Sequence, residues 1–405
     1  MKIVMVAVSA PAHLNGVSRH SANVVQGLLT RAEVTEVHMV VGAWQKQAYE
    51  DAVARSDPRL YIHAVEISRG TLGRNRWYYS ELPYIATQLD ADVVHLAYPV
   101  PMSRAAFRCP VVVSLHDMYS FDIPENFGLL KSWFNRMVVR QCLRSSDAIA
   151  CVSESTRESL RHWLGNGPAG KAVTILNGVG PPSIRRAECP HALRGCRAFI
   201  LCMAQHRRNK NIALAVKVFE RVLREGILSP EARMVIVGVP GPETARTQNQ
   251  IRDARLERRV VLLSGLSDSE LQWCYRNCEL LLAPSTIEGF GLPVVEALLA
   301  GCKTVCSDIP AFREVGGSRC RYVRLGTEEL EGFSVAIRET LEAPHAAPVS
   351  MPWLAVEAIA EKYMILYRRL LTSPVSPEFC SFLSSGGAGQ GDAGTRGGIP
   401  LVRRG

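Results

Sequence analysis

Two carboxylates, Glu288 and Glu296, stand eight positions apart in the stretch PSTIEGFGLPVVEALLAGCKTV, with Gly289, Phe290, Gly291, Leu292 and Pro293 between them. The preceding run CELLLAP is short and apolar enough for a buried strand. Pro293 suits the first turn of a helix, where a missing N–H has no partner to lose. The interval is therefore read as a strand-to-helix loop. Glycines at 289 and 291 permit unusual backbone angles and let a ligand come close to the main chain, and the unpaired N–H groups at the helix start form an anion site. Carboxylates beside an anion repel it unless they are turned to other groups, and hydroxyls are suitable targets for their charge-assisted hydrogen bonds. Phosphate in the middle and hydroxyls at both ends describe a nucleotide sugar. The alternative is that Glu296 only complements the helix dipole and Glu288 is a solvated loop residue.

Further chemistry-bearing residues follow other apolar runs. Arg207, Arg208 and Lys210 come directly after AFILCMA, where cations would offset charge growing on a departing nucleoside diphosphate. His116 and Asp117 close the run PVVVSLHD, at the strand end where parallel sheets present ligands. Gly16, in HLNGVSRH, allows a close main-chain approach after the first apolar run. Ser153 and Ser155 in CVSESTRESL read as helix caps. In LLKSWFNRMVVRQCLRSSD, Arg136, Arg140 and Arg144 fall on successive helical turns beside Trp133, Phe134, Met137 and Val138. Such a helix either lies on an anionic membrane or packs its apolar side on a sheet.

The elements that must position these residues are short Val- and Ile-rich runs alternating with helical patterns, which argues for parallel sheets wrapped by helices. The opening KIVMVAV is read as the first buried strand and not as a secretory leader, because a turn glycine and a helix-period pattern follow at once. A stretch rich in proline, glycine and arginine divides the chain. Residues 1–180 then form one Rossmann-like domain, 181–197 a linker and 198–351 a second such domain, with a ligand cleft between them. Residues 352–371 read as a long helix crossing back to the first domain. Residues 372–405 are Gly- and Ser-rich, and a disordered tail is expected.

Composition narrows the function classes. The 405 residues are 47% hydrophobic and 21% charged, ordinary for globular domains, and the net charge of +9 favours anionic partners. Zinc-finger spacing, RNA-binding aromatic signatures and long basic blocks are absent, so no nucleic-acid partner is expected. Twelve scattered cysteines without a Cys-x-x-Cys pair fit a reducing cytoplasm. Cys274, Cys278, Cys302 and Cys306 lie in apolar segments and read as core packing, not as metal ligands. No apolar run reaches 18 residues, so no membrane span is expected.

STIEGFGLPVVEALLAGCKTVCSD closely resembles the paired-glutamate signature of retaining glycosyltransferases of family 4, and the resemblance extends in order from residue 1 to about 371. It implies the GT-B fold, two facing Rossmann-like domains. It implies that Glu288 contacts the donor sugar, that Glu296 holds the ribose, and that main-chain groups near Gly289, Phe290, Gly291 and Leu292 meet the sugar and phosphate. QHRRNKN resembles the family's basic segment, with Lys210 on the diphosphate and Asn211 starting a helix. It departs from the family at Ala204 and Gln205, which leaves the second diphosphate cation open between Arg207 and Arg208. The glycine loop at Gly16 and the His116–Asp117 pair also resemble family segments, with His116 beside the transferred sugar and Asp117 toward the acceptor.

The reading reached from sequence is a metal-independent, retaining transferase. It would move a hexosyl group, with mannosyl as one candidate, from a nucleotide-diphosphate sugar to a glycan or lipid-linked hydroxyl in cell-surface polysaccharide synthesis. It would need no cofactor and work in the cytoplasm or on the inner membrane face. A nucleotide-sugar epimerase, a phosphorylase and a non-catalytic sugar-nucleotide-binding protein are the rivals. A redox Rossmann enzyme is not expected, because no Gly-x-Gly-x-x-Gly follows the first strand.

Overall fold

The densest apolar runs become the inner strands of two sheets that are parallel throughout. The computed structural model describes residues 1–53, 57–126, 128–180, 187–344 and 347–385. The first sheet contains β1 (Lys2–Val6), β2 (Glu36–Gly42), β3 (Leu60–Val65), β4 (Val93–Leu96), β5 (Val111–Leu115), β6 (Ala148–Cys151) and β7 (Ala172–Thr174), in the order β3-β2-β1-β4-β5-β6-β7. The second contains β8 (Phe199–Met203), β9 (Arg233–Val237), β10 (Val260–Leu263), β11 (Leu280–Ala283), β12 (Thr304–Ser307) and β13 (Arg321–Val323), in the order β10-β9-β8-β11-β12-β13. Helices on both faces leave β4, β5, β6 and β11 buried at every position, which is why these strands read as apolar runs, interrupted by His95 in β4 and Ser114 in β5.

Strand order reverses beside the first strand of each sheet, between β1 and β4 and between β8 and β11. Loops diverge at such a switch point and leave a crevice at the carboxyl ends of the strands. Gly16 follows β1, His116 follows β5, Lys210 follows β8 and Glu288 follows β11.

The chain passes between the two domains twice. On the outward crossing Asn23 Nδ2 donates to the Gly178 carbonyl at 2.7 Å, and Val179 N–H donates to the Leu354 carbonyl at 2.7 Å. The second bond ties the outward strand to the return. The returning helix, Val356–Thr372, puts Ile359, Tyr363, Met364, Leu366, Tyr367 and Leu370 into the core beneath the first sheet.

Two boundaries differ from expectation. Residues 181–186 of the expected linker lie outside the described residues, and the half from 187 belongs to the second domain, because Leu193 is buried in that domain's core. The tail expected to be disordered from 372 instead forms a helix, Pro377–Ser385, alongside β7. Cys380 and Leu383 enter the first core, and Thr174 N–H donates to Ser384 Oγ at 2.9 Å. Two well-placed apolar residues and one edge bond hold a segment whose composition argued against order. Residues 386–405 lie outside the described residues.

Candidate functional site

Glu288 occupies the loop after β11 and is 8% exposed. Its carboxylate accepts from Lys210 Nζ at 2.6 and 2.7 Å, from Ser285 Oγ at 2.7 Å and, from the first domain, from Tyr119 hydroxyl at 3.4 Å. Lys210 ends a short 3-10 turn after β8, Arg208–Lys210. Thr286 N–H bonds the Asn209 carbonyl at 2.8 Å and Asn209 Nδ2 bonds the Ile287 carbonyl at 3.3 Å. These bonds lock the two loops of the second switch point together, so cation and carboxylate meet by construction. Asn211, left-handed at φ 50°, precedes the helix Ile212–Arg224.

At Gly289 the main chains of the two domains come into close contact. A Cβ there would lie 1.9 Å from the His116 carbonyl oxygen, so no other residue fits without separating them. The Gly289 carbonyl accepts from Ser153 Oγ and from Thr156 Oγ1, the latter at 3.0 Å. Gly291, at φ 99°, caps the helix Leu292–Leu299. Phe290 packs its ring in the second core, so only its main chain is free to meet a ligand. Leu292 Cδ1 lies 3.5 Å from where a Cβ on Gly16 would be, which brings the first glycine loop against the helix that carries Glu296.

Glu296 accepts from Tyr275 hydroxyl at 2.8 Å. Burial raises its carboxyl above the usual range, while the Tyr275 bond and the Arg19 charge across the cleft pull it down. Arg19 also forks onto Asp268 of the second domain at 2.6 and 3.2 Å. His116 Nε2 donates to the Ala97 carbonyl at 2.9 Å, and burial lowers the ring to about 4. It is therefore neutral at pH 7, with Nδ1 left as an acceptor. Asp117 accepts from Tyr119 N–H at 3.0 Å; burial pushes it up to about 6, against the opposing pull of Arg207. The Arg207 charge thus reaches Asp117 from the second domain, although Arg207 and Arg208 are both exposed.

Family models match the two halves separately: the description Glycosyltransferase Family 4 covers residues 14–181, and Glycosyl transferases group 1 covers 187–342. This chain belongs to the group 1, family 4 glycosyltransferases. Among curated relatives, the O-antigen chain mannosyltransferase B of Escherichia coli is 24% identical over 78% of this chain and 85% of its own length. The O-antigen chain mannosyltransferase RfbU of Salmonella typhimurium is 25% identical over 58% of this chain and 62% of its own. Among solved structures, the sucrose-phosphate synthase of Thermosynechococcus elongatus superposes with TM-score 0.66 at 16% identity, over 92% of this chain and 99% of that one. That likeness confirms the GT-B architecture.

Elsewhere in this glycosyltransferase lies the basic helix Leu129–Ser145. Arg136 Nε donates to the Ser120 carbonyl at 2.7 Å, and the Arg136 and Arg140 guanidinium groups lie 5.5 and 5.3 Å from the Phe121 ring centre. Those contacts tie both arginines to the fold, although Arg140, like Arg144, is exposed. The apolar side chains of the helix are divided: Cys142 and Leu143 are buried in the first domain's core with Val139 against it, whereas Trp133 is 63% exposed and Met137 48%. Ser153 caps the helix Glu154–Leu164 by accepting from Thr156 N–H at 3.0 Å, as its position suggested. All twelve cysteines are free. Among the described residues no helix is long and apolar enough to cross a membrane.

Several site residues were not singled out from sequence: Ser285, Tyr275, Tyr119, Arg19 and Glu314. Glu314 accepts from the Glu154 N–H at 2.9 and 3.0 Å, a carboxylate of one domain on a helix start of the other. Only Ser285, three residues before Glu288, had a local signal; the others depend on contacts distant in sequence.

Proposed function

We propose that the protein is a retaining glycosyltransferase that moves a hexosyl group, a mannosyl group by analogy with its relatives, from a nucleotide-diphosphate sugar to a glycan or lipid-linked hydroxyl in cell-surface polysaccharide synthesis. The observation that carries this reading is the buried Lys210–Glu288 pair, set at the second switch point and facing His116 across the Gly289 contact.

In this reading the incoming diphosphate takes Lys210 as its counterion, which releases the Glu288 carboxylate to accept from a sugar hydroxyl. One event then engages both ends of the scissile bond. Arg207, whose charge already reaches Asp117, is the second diphosphate cation in preference to Arg208. Together the two cations offset the leaving-group charge without a bound metal. Glu296, oriented by Tyr275, takes the ribose hydroxyls. His116 Nδ1 is a neutral acceptor for a hydroxyl of the transferred sugar. The acceptor hydroxyl attacks on the leaving-group face and passes its proton to the departing phosphate. The exposed face of the Leu129–Ser145 helix, with Leu130, Trp133 and Met137 beside Arg144, meets an anionic membrane on its cytoplasmic side.

A thermal-shift screen of ADP, UDP and GDP tests donor binding, since a nucleotide at 100 times its Kd stabilises by about 2.7 kcal/mol. NMR of the product should show the anomeric configuration of the donor. Absence of any nucleotide shift would overturn the donor assignment, and an inverted anomer would overturn retention. Vesicles containing anionic lipid should bind the protein and release Trp133→Ser; equal binding removes this helix as the contact.

A further inference from the structure

Beneath His116 lies a chain of buried polar groups that the donor loops do not use. Ser114, on β5, is its centre. His95 Nε2, on β4, lies 2.8 Å from Ser114 Oγ, and His20 Nε2, on the helix Gly16–Leu29, lies 3.1 Å from the same oxygen. His95 Nδ1 lies 2.6 Å from the Tyr367 hydroxyl of the returning helix. Tyr363, one turn earlier, places its hydroxyl 3.3 Å from His20 Nε2 and 3.4 Å from Ser114 Oγ. The His20 and His116 rings meet edge-on, their centres 4.9 Å apart and their planes at 87°.

The hydrogens can be assigned by accounting. A buried phenol must donate, so the Tyr367 hydroxyl gives its hydrogen to His95 Nδ1. Burial lowers His95 to about 3, so the ring is neutral and its one hydrogen sits on Nε2, donated to Ser114 Oγ. The Ser114 hydrogen then goes to His20 Nε2 directly or through Tyr363. Either route leaves His20 Nε2 as an acceptor and puts the His20 hydrogen on Nδ1. His20 Nδ1 and Asn177 Oδ1, the latter on the outward crossing, are both buried without a hydrogen-bond partner, and the Asn177 amide pulls on the His20 ring against burial.

We propose that His20 is a positioning residue for His116, held in one tautomer by a chain that runs from Tyr367 through His95 and Ser114 to Asn177. The chain begins on the segment that returns from the second domain and ends on the segment that leaves for it. His20 holds the His116 ring by contact, so that Nε2 stays on the Ala97 carbonyl and Nδ1 keeps its orientation. The placement of His116 therefore depends on both crossings being seated.

Long-range proton–nitrogen NMR on protein labelled with 15N-histidine reads the tautomers in the unliganded chain. His20 should carry its hydrogen on Nδ1, and His95 and His116 on Nε2, at pH 7. A His20 Nε2–H tautomer, or a cationic ring at either buried site, overturns the chain. The kinetic arm rests on the proposed donor chemistry and is scored separately. Tyr367→Phe and Ser114→Ala should each lower kcat roughly tenfold, as expected for one buried hydrogen bond, with nucleotide Kd within a factor of two of the parent. The double variant should be no slower than Ser114→Ala alone, because both cut one chain. Losses that multiply, or a Kd that weakens with kcat, overturn the positioning role. The tautomer assignment stands or falls without any substrate.

Discussion

At the carboxyl end of the first sheet the imidazoles are neutral: His20 and His95 are buried, His116 is half-buried, and desolvation holds all three below their ordinary range. At the carboxyl end of the second sheet Lys210 and Glu288 are charged and paired. Both sides sit at equivalent places in the same strand order, so topology alone does not explain the contrast. In the proposed reading, what differs is the part of the donor each would meet. A diphosphate demands countercharge, while a sugar and an attacking hydroxyl demand acceptors and donors fixed in place. A neutral imidazole near the reacting carbon does not compete with the diphosphate for Lys210.

The largest effect is expected on the charged side. Lys210→Ala would leave Glu288 buried without its cation, and stranding one partner of a buried pair costs about 3 kcal/mol or more. Calorimetry should show nucleotide affinity falling roughly a hundredfold, with a lower Tm. Normal nucleotide binding would mean that Lys210 serves only the fold and would erase the contrast.

Glu288→Gln and Glu296→Gln should then part company. A charged hydrogen bond lost typically costs about 1.5 to 3 kcal/mol. For Glu288→Gln the loss should appear mainly in kcat, and for Glu296→Gln in the Kd of donor and free nucleotide alike. Matching kinetic profiles for the two would show that both carboxylates do one job.

A smaller effect belongs to Asp117, at the carboxyl end of the first sheet. Burial raises it from the ordinary 3.8 to about 6. The folded chain therefore binds a proton that the unfolded chain has released across this window. Stability falls as pH rises from about 4 to about 6 and is level above. Asp117→Asn removes that fall, so the variant should gain about 1 to 3 kcal/mol at pH 7 and match the parent below pH 4. Parallel stability curves for the two would place Asp117 among ordinary ionised carboxylates.

The smallest effect lies where the domains meet in solvent. Arg19→Gln breaks the fork to Asp268, with both side chains about half exposed, and should change Tm by the equivalent of under about 1 kcal/mol. If it instead opens the molecule in small-angle scattering, this contact holds the two sides together more than the Gly289 packing does.

The sequence revealed some of this better than the rest. Inner strands such as VVVSL announce themselves because both faces are buried. The edge strand LYIHAV does not, since none of its positions is fully buried, and AVT and RYV are too short to stand out. Glu288, Lys210 and His116 were legible because each ends a strand and carries chemistry. That Lys210 and Glu288 hold each other was not, because 78 residues separate them and only the β8–β11 adjacency joins them. The same holds for Gly289: a glycine in a loop suggests freedom, whereas the His116 carbonyl leaves room for nothing else. The helix Pro377–Ser385 was missed because composition measures average polarity, not the two side chains that find a core.

The returning helix has a consequence for how the molecule is made. The core of the first domain includes Tyr363, Met364 and Tyr367, together with Cys380 and Leu383 beyond them. On a ribosome the second domain is synthesised in full before those residues are added. The first domain, though translated earlier, must wait with an open hydrophobic groove until the second has left the exit tunnel. Domains generally fold in order of synthesis; here that order is reversed, and the interval in which a chaperone would find exposed apolar surface is set by the time needed to translate some 180 residues, from the first crossing to the second.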